Sequence, residues 1–434
     1  MTSQPATTIV QDLADFIEAC PTPYHAAREC ERRLARVGFE RLDERDPWAI
    51  RPGMRAVVRR GGGTLLAFQV GERPPSEAGF LVLGAHTDSP NLRLKPRPRL
   101  ESVNHVQLGV EIYGAPLWHT WLDRDLSIAG RVVLRDGTTR LVRLPGAPCS
   151  IPSLAIHLDR TVNTEGLKLN AEEHLRPLVE VGLGAGRGVL DWIAEALGAN
   201  GDDAIEPRDI VASDLMLFDV QPPSLGGPAG ELLHASRIDN LASCHAVVTA
   251  LAAAKSRALT QVIFLGDHEE VGSESAHGAL SRFLLGVLER LEPEVARAVA
   301  RSLLISVDMA HAIHPGHADR HDSQHRPELG GGPVVKVNAS QRYATDAPAR
   351  AVFVEACRAA GFEPQYFAGR NDVLCGTTIG PLASARTGMR AVDVGNPMLS
   401  MHSCRETAHA RDVQPMIDAL TGLLDEALPP DPAD

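Results

Sequence analysis

The residues of this chain that could do chemistry stand where apolar runs stop. Leu-Gly-Ala-His-Thr-Asp-Ser-Pro (83–90) offers His86 and Asp88, and Ser-Arg-Ile-Asp-Asn (236–240) offers Asp239. Asp-His-Glu-Glu-Val-Gly-Ser-Glu (267–274) offers Glu269 and Glu270, Ser-Val-Asp-Met-Ala (306–310) Asp308, and Met-His-Ser-Cys-Arg-Glu (401–406) His402. Imidazole and carboxylate are ligands for divalent metals. If Asp239 bridges two ions, His86 and Asp308 complete one metal, and Glu270 and His402 the other. Each ion then keeps an open position, as a catalytic rather than a structural site requires. Two such ions, ~3.5–4 Å apart, can clamp a tetrahedral intermediate. The pattern is that of a metal-dependent hydrolase.

Glu269 is left over beside a ligand. It is placed to take a proton from the attacking water and later give it to the leaving amine. Asp88, two residues after His86, is placed to accept the other imidazole N–H and so fix the tautomer. The one-helix zinc motif HExxH is absent, because His268-Glu269-Glu270 lacks the second histidine. The nucleophile elbow GxSxG is absent too. The tract His311-Ala-Ile-His-Pro-Gly-His-Ala-Asp-Arg-His, with His325 nearby, reads as a solvated loop near the site, with a metal-binding tract as the alternative. The short basic run Arg-Leu-Lys-Pro-Arg-Pro-Arg (93–99) reads as a connection into a second domain.

The elements that must position these groups follow from the surrounding pattern. The run GFLVLGA is apolar throughout, as in a strand buried on both faces of an α/β sheet, and ends on His86. QVIFLGD and SLLISVD end on acidic residues in the same way. Ligands of open α/β sheets bind beyond the carboxyl ends of strands. IVQDLADFIEAC and YHAARECERRLARVGF read as helices separated by a Pro-Thr-Pro break. From about residue 96 the character changes to hairpins, such as the alternating strands around Asp136-Gly137. RGVLDWIAEALG reads as a helix, DIVASDLMLFDV as a strand and QPPSLGGPAGE (221–231) as a linker. Then the α/β pattern returns. The expected organisation is an α/β catalytic domain, 1–95 and 234–434, with a mixed sheet flanked by helices and a β-rich insertion at 96–233.

Bulk properties narrow the classes. At 434 residues, two domains are the expectation. No apolar run approaches the ~20 residues of a membrane span, and no basic region precedes a long apolar stretch at the N-terminus. Seven cysteines form no CxxC pair and leave one over, which points to a reducing, cytoplasmic location. A net charge of −12 gives no reason to expect nucleic acid or anionic membrane as partner.

On these residues the chain resembles the aspartyl aminopeptidases, cytosolic dinuclear-zinc enzymes. GAHTDSPNLRLKP, SRIDNLASCHA, GDHEEVGSESAHGA, SVDMAHAIHP, VKVNASQRYATD, GRNDVLCGTTIGP and MHSCRE carry the resemblance over nearly the whole length. It implies two Zn2+ ions per subunit, with Mn2+ or Co2+ as possible substitutes. Their ligands would be His86, Asp239, Glu270, Asp308 and His402, with Glu269 as base and Asp88 as supporting acid. It also implies that the insertion is a dimerisation domain, in a tetrahedral homododecamer built from dimers. Peptides with a free, acidic N-terminal residue are the implied substrates. His157, within IPSLAIHLDR (151–160), matches a histidine that reaches a neighbouring subunit's active site. One departure stands out. Some acid-preferring members have a lysine just before Gln-Arg-Tyr, where this chain has Ser340, so either Arg342, Arg370 or another cation serves instead or the pocket is broader.

Two other readings share part of this pattern. A deacylase or carboxypeptidase of the same co-catalytic metal class uses the same ligand logic, but does not require a free α-amine. A silent oligomeric scaffold keeps the fold, but the complete ligand set and base speak against it.

Overall fold

The structure is a computed structural model and describes residues 6–182, 186–199, 201, 205–255 and 258–425. Contacts divide the chain into two units: Met1–Asp88 with Pro223–Met401 and Glu406–Asp434, and Ser89–Pro222 with His402–Arg405.

The first unit is built on a nine-stranded sheet. Its order is Glu40–Leu42, Arg55–Arg60, Thr64–Gln69, Thr260–Gly266, Phe80–His86, Leu303–Val307, Arg390–Gly395, Val334–Val337 and Gln365–Ala368. The four strands from Thr260–Gly266 to Arg390–Gly395 run parallel. Successive side chains of a strand point to opposite faces, and both faces here are covered. Leu81, Leu83, Ala85, Ile263 and Leu265 pack with the helices Ala6–Ala19, Pro23–Ala35, Ile238–Ala253, Ala347–Ala359 and Val413–Asp425. Phe80, Val82, Val262 and Phe264 pack with Phe283–Leu291 and Ile379–Thr387 on the other face. Burial on both sides explains why these strands are apolar throughout. The Pro-Thr-Pro break is a helix start: the Thr22 side chain accepts from His25 N, and Pro23 occupies the first turn, where a missing N–H costs nothing.

Register sets the site. Gly266 stands opposite His86, and Ser306 opposite Gly84. The first residues beyond Gly266 and Val307 therefore emerge beside His86, on one rim. A smaller five-stranded sheet, ordered Ser224–Gly226, Leu232–Ala235, Glu406–His409, Pro397–Leu399 and Ala310–His311, completes the unit. The stretch 221–231, read from sequence as a linker, thus carries a strand of this sheet.

The second unit holds a six-stranded antiparallel sheet: Thr139–Arg143, Leu126–Leu134, Ile210–Asp219, Asn91–Ser102, His105–Tyr113 and Leu178–Val181. The helix Val189–Ala199 packs into its core through Val189, Ile193 and Leu197. The basic run 93–99 lies inside the strand Asn91–Ser102 and is not a connecting segment. Its cations alternate with Leu92 and Leu94, and the pairing register shifts between Leu94 and Arg99, where Pro96 and Pro98 cannot donate. Among the described residues no helix is long and apolar enough to cross a membrane.

Candidate metal centre

Three strand ends and one helix start bring the first unit's acidic residues together. His86 is the last residue of its strand and is 1% exposed. Asp308 follows Leu303–Val307. Glu269 and Glu270 open a short helical turn just beyond Thr260–Gly266, after His268 adopts the left-handed conformation at φ 66°. Asp239 lies at the start of Ile238–Ala253, where the backbone of Asp239 and Asn240 departs from helical geometry.

The distances define a cluster. His86 Nε2 lies 3.4 Å from Asp239 Oδ1, 3.4 Å from Asp308 Oδ1 and 4.0 Å from Glu269 Oε2. Ligand atoms of His86, Asp239 and Glu270 fall within 4.8 Å of one another, as do those of His86, Glu269 and Asp308. Two ligands at about 2.0–2.1 Å from a tetrahedral zinc are separated by about 3.4 Å. The two shortest spacings match that value, so the donor set fits a divalent cation.

The charges point the same way. Burial opposes a proton on His86, yet Glu269, Asp239, Asp308 and Asp88 outweigh it and raise the imidazole well above its usual range. Burial pushes the Glu269 carboxyl up to about 8; His86 opposes the rise, and Asp308, Asp88 and Asp239 add to it. The cluster carries more negative charge than one imidazole balances. A bound cation supplies the missing charge and reverses the field at each carboxylate.

Neighbouring groups fix the orientation of these side chains. His86 Nδ1 lies 3.0 Å from the main-chain oxygen of Asp88 and 3.5 Å from its Oδ1. The imidazole Nδ1 thus faces Asp88, with the carbonyl nearer than the carboxylate, which leaves the lone pair on Nε2. The Asp88 carboxylate also accepts from two successive amides, Glu269 N at 3.2 Å and Glu270 N at 3.1 Å. It anchors the turn that presents both glutamates. Asp239 N donates to Glu406 Oε2 at 3.0 Å, and Asn240 Nδ2 to the Val307 carbonyl at 3.0 Å. Gly395 lies so close that a Cβ there would overlap the Asp308 carbonyl, so the strand beside Asp308 requires glycine. Cys244 is buried beneath the site, its thiol pushed up to about 12 by burial, which removes it as a thiolate nucleophile.

The remaining predicted residues belong to the second unit. His402, at φ 67°, lies in the segment His402–Arg405. Its Nδ1 is 3.1 Å from the Ala115 carbonyl oxygen, and its own carbonyl accepts from Leu117 N at 2.9 Å. With Nδ1 as donor, Nε2 carries the lone pair, the same tautomer as His86. His157 sits in an exposed turn, not in a strand.

Sequence reasoning passed over Glu406, Lys336 and Asp393. Lys336 and Asp393 were legible as charges inside apolar strands, Val-Val-Lys-Val and Arg-Ala-Val-Asp-Val. A fully buried charge needs a partner, and such a position marks one. The histidine tract does not enter the groups that could hold a metal among the described residues. His311, His314 and His321 instead line a cavity of about 280 Å³ with Arg320, Arg370 and Phe367.

Comparison with known proteins agrees with this geometry. Residues 16–423 match the family model described as aminopeptidase I zinc metalloprotease (M18). The chain is 44% identical over 425 residues to a probable M18 family aminopeptidase 2 of Streptomyces avermitilis, covering 95% of this chain and 97% of the relative. The structure resembles Ape4 in its complex with Nbr1, with a TM-score of 0.92, 36% identity, and coverage of 96% of this chain and 86% of that one. It also resembles the S. cerevisiae mApe1 dodecamer, with a TM-score of 0.81, 28% identity and coverage of 95% of each chain. Match and likeness extend over both units, and the chain belongs to the M18 family of zinc metallo-aminopeptidases.

Proposed function

We propose that this aminopeptidase holds two zinc ions and removes N-terminal residues from peptides, acidic ones in preference. The observation that carries the reading is the convergence of Asp239, Glu269, Glu270 and Asp308 on the buried imidazole of His86. His86 and Asp308 would hold one ion, Glu270 and His402 the other, and Asp239 would bridge them. Zinc bound there would polarise the scissile carbonyl and make the attacking water more acidic. Glu269 takes the proton from that water and returns it to the leaving amine. Asp88, through the Glu269 and Glu270 amides, keeps base and ligand in one fixed relation.

The bridging role gives a direct prediction. Asp239→Asn weakens a ligand shared by both ions, so zinc per chain and turnover should fall together. Elemental analysis after dialysis against a weak chelator reads this. Retention of both ions at wild-type affinity would remove Asp239 as the bridge.

Preference for acidic residues is supported by the cavity that His311, His314, Arg320, His321 and Arg370 line, which also includes Met398–Met401, the segment leading into His402. Ser340 lies in an exposed turn with its N–H on Asn338 Oδ1, and it offers no charge. Arg370 is held by Asp372 at 2.8 and 2.6 Å, and Asp322 also lines the cavity, so the net field there is softened. One charge-assisted hydrogen bond to the substrate side chain, at about 1.5–3 kcal/mol, predicts kcat/KM for Asp- and Glu-amides about 10–100-fold above that for Leu-amide. Equal rates over a panel of aminoacyl amides would withdraw the acidic preference.

Assembly completes the proposal. Leu154, Ile156 and Leu158, which are 65%, 44% and 74% exposed, flank His157. Exposed apolar side chains beside His157 support an interface there, and the mApe1 relative is a dodecamer. The chain is accordingly read as a homo-oligomer, a tetrahedral dodecamer built from dimers, in which His157 of one copy serves a neighbour. All seven cysteines are free, which supports a reducing, cytoplasmic setting.

A further inference from the structure

We propose that Lys336 is a positioning residue for the metal centre: it clamps Asp308 so that a single carboxylate oxygen faces the metal. The inference rests on Asp308 being a zinc ligand. Lys336 lies in the strand Val334–Val337 and is 2% exposed. Its Nζ donates to the Asp308 main-chain oxygen at 2.9 Å, to the Met309 main-chain oxygen at 3.2 Å and to Asp308 Oδ2 at 3.4 Å. An ammonium has three N–H donors, and these acceptors use all of them. The face of Tyr343 lies 5.1 Å from Nζ and closes its remaining side.

The division of the carboxylate is the telling feature. Oδ2 is held by Lys336, while Oδ1 is the oxygen 3.4 Å from His86 Nε2. One oxygen is committed to the ammonium and the other to the cluster, so Asp308 is set up to bind through Oδ1 alone. The two main-chain bonds hold residues 308–309 at the strand end and so fix where that oxygen stands. Asp393, the cross-strand neighbour of Lys336, lies within reach of its charge but takes its hydrogen bonds from other donors. Its Oδ1 receives Thr378 Oγ1 at 2.5 Å and its Oδ2 the Ala344 amide at 2.6 Å. A fully buried ammonium is costly unless paired and hydrogen-bonded. Here its pairing is directed at a residue of the metal cluster.

The test is zinc affinity, measured on the full-length protein by competition with a chromogenic chelator. The set is wild type, Lys336→Met, Asp308→Asn and the double variant. Loss of a group that orients a ligand typically costs 10–100-fold in metal affinity. Lys336→Met should weaken zinc binding by about that factor, and should cost clearly less once Asp308 is already Asn. Circular dichroism of the metal-free variants checks that the fold persists. If Lys336→Met does not fold, Lys336→Gln, neutral with two donors, carries the same comparison. Unchanged zinc affinity, or an equal loss with and without the Asp308 carboxylate, would overturn the positioning role. If Asp308→Asn alone leaves affinity unchanged, the ligand assignment itself falls, and the clamp with it.

Discussion

Glu269→Gln should abolish nearly all turnover while leaving fold and zinc content intact. The substitution preserves size and hydrogen-bonding capacity and removes only the group proposed to accept a proton. General base catalysis is typically worth ~10²–10⁴-fold, and a loss of that size in kcat is expected. Glu269 lies 4.0 Å from His86 Nε2, within the cluster, while the Asp88 carboxylate holds its backbone amide at 3.2 Å. The amide contact survives the change, so Glu270 should keep its place. The readouts are kcat at saturating substrate and zinc per chain by elemental analysis. A variant that keeps most of its activity would require another base. One that loses zinc would make Glu269 a ligand.

If His157 serves a neighbour's site as proposed, His157→Ala should lower turnover by about 10²–10³-fold with little change in zinc content, because a single donor to the oxyanion of the transition state would be lost. The shared site makes a sharper prediction. His157→Ala subunits mixed with Glu269→Gln subunits should recover part of the activity. Mixed interfaces can pair an intact His157 with an intact Glu269 from different chains. The assay is turnover of a mixed oligomer purified on two different affinity tags. A verified mixed oligomer without recovery would argue that the site is not shared, and a fully active monomer would exclude sharing. The exposed apolar flanks, Leu154, Ile156 and Leu158, are the surface such an interface would bury.

The central sheet was legible because burial on both faces leaves an unmistakable trace: apolar runs of strand length that end on His86, before Asp308, and before Glu269 and Glu270. What such runs do not carry is register. That Gly266 stands opposite His86 and Ser306 opposite Gly84 is decided by pairing across distant segments, and no local pattern encodes it. Asp239 was recognisable as a candidate, but its place at a non-helical helix start, tied to Glu406, is a tertiary fact. Asp88 shows the same limit. Proximity in sequence suggested the carboxylate–imidazole contact, but not that the left-handed His268 turns two amides toward the same carboxylate or that the carbonyl lies nearer the imidazole. The helix Ile379–Thr387 escaped notice because Gly380 and Pro381 punctuate its first turn, although Thr378 caps it. The strands Ser224–Gly226 and Leu232–Ala235 were hidden by turn-forming glycines and prolines between and around them. Lys336 was the most informative residue passed over, a charge within Val-Val-Lys-Val that only a buried partner can explain.

The most direct test of the central claim is an anomalous difference map from crystals of the zinc-loaded protein, with data collected on both sides of the zinc absorption edge. The account predicts two peaks ~3.5–4 Å apart. One should touch His86 Nε2 and Asp308 Oδ1, the other Glu270 and His402, and Asp239 should lie between them. A single peak, or zinc bound among His311, His314 and His321 with none at His86, would contradict it.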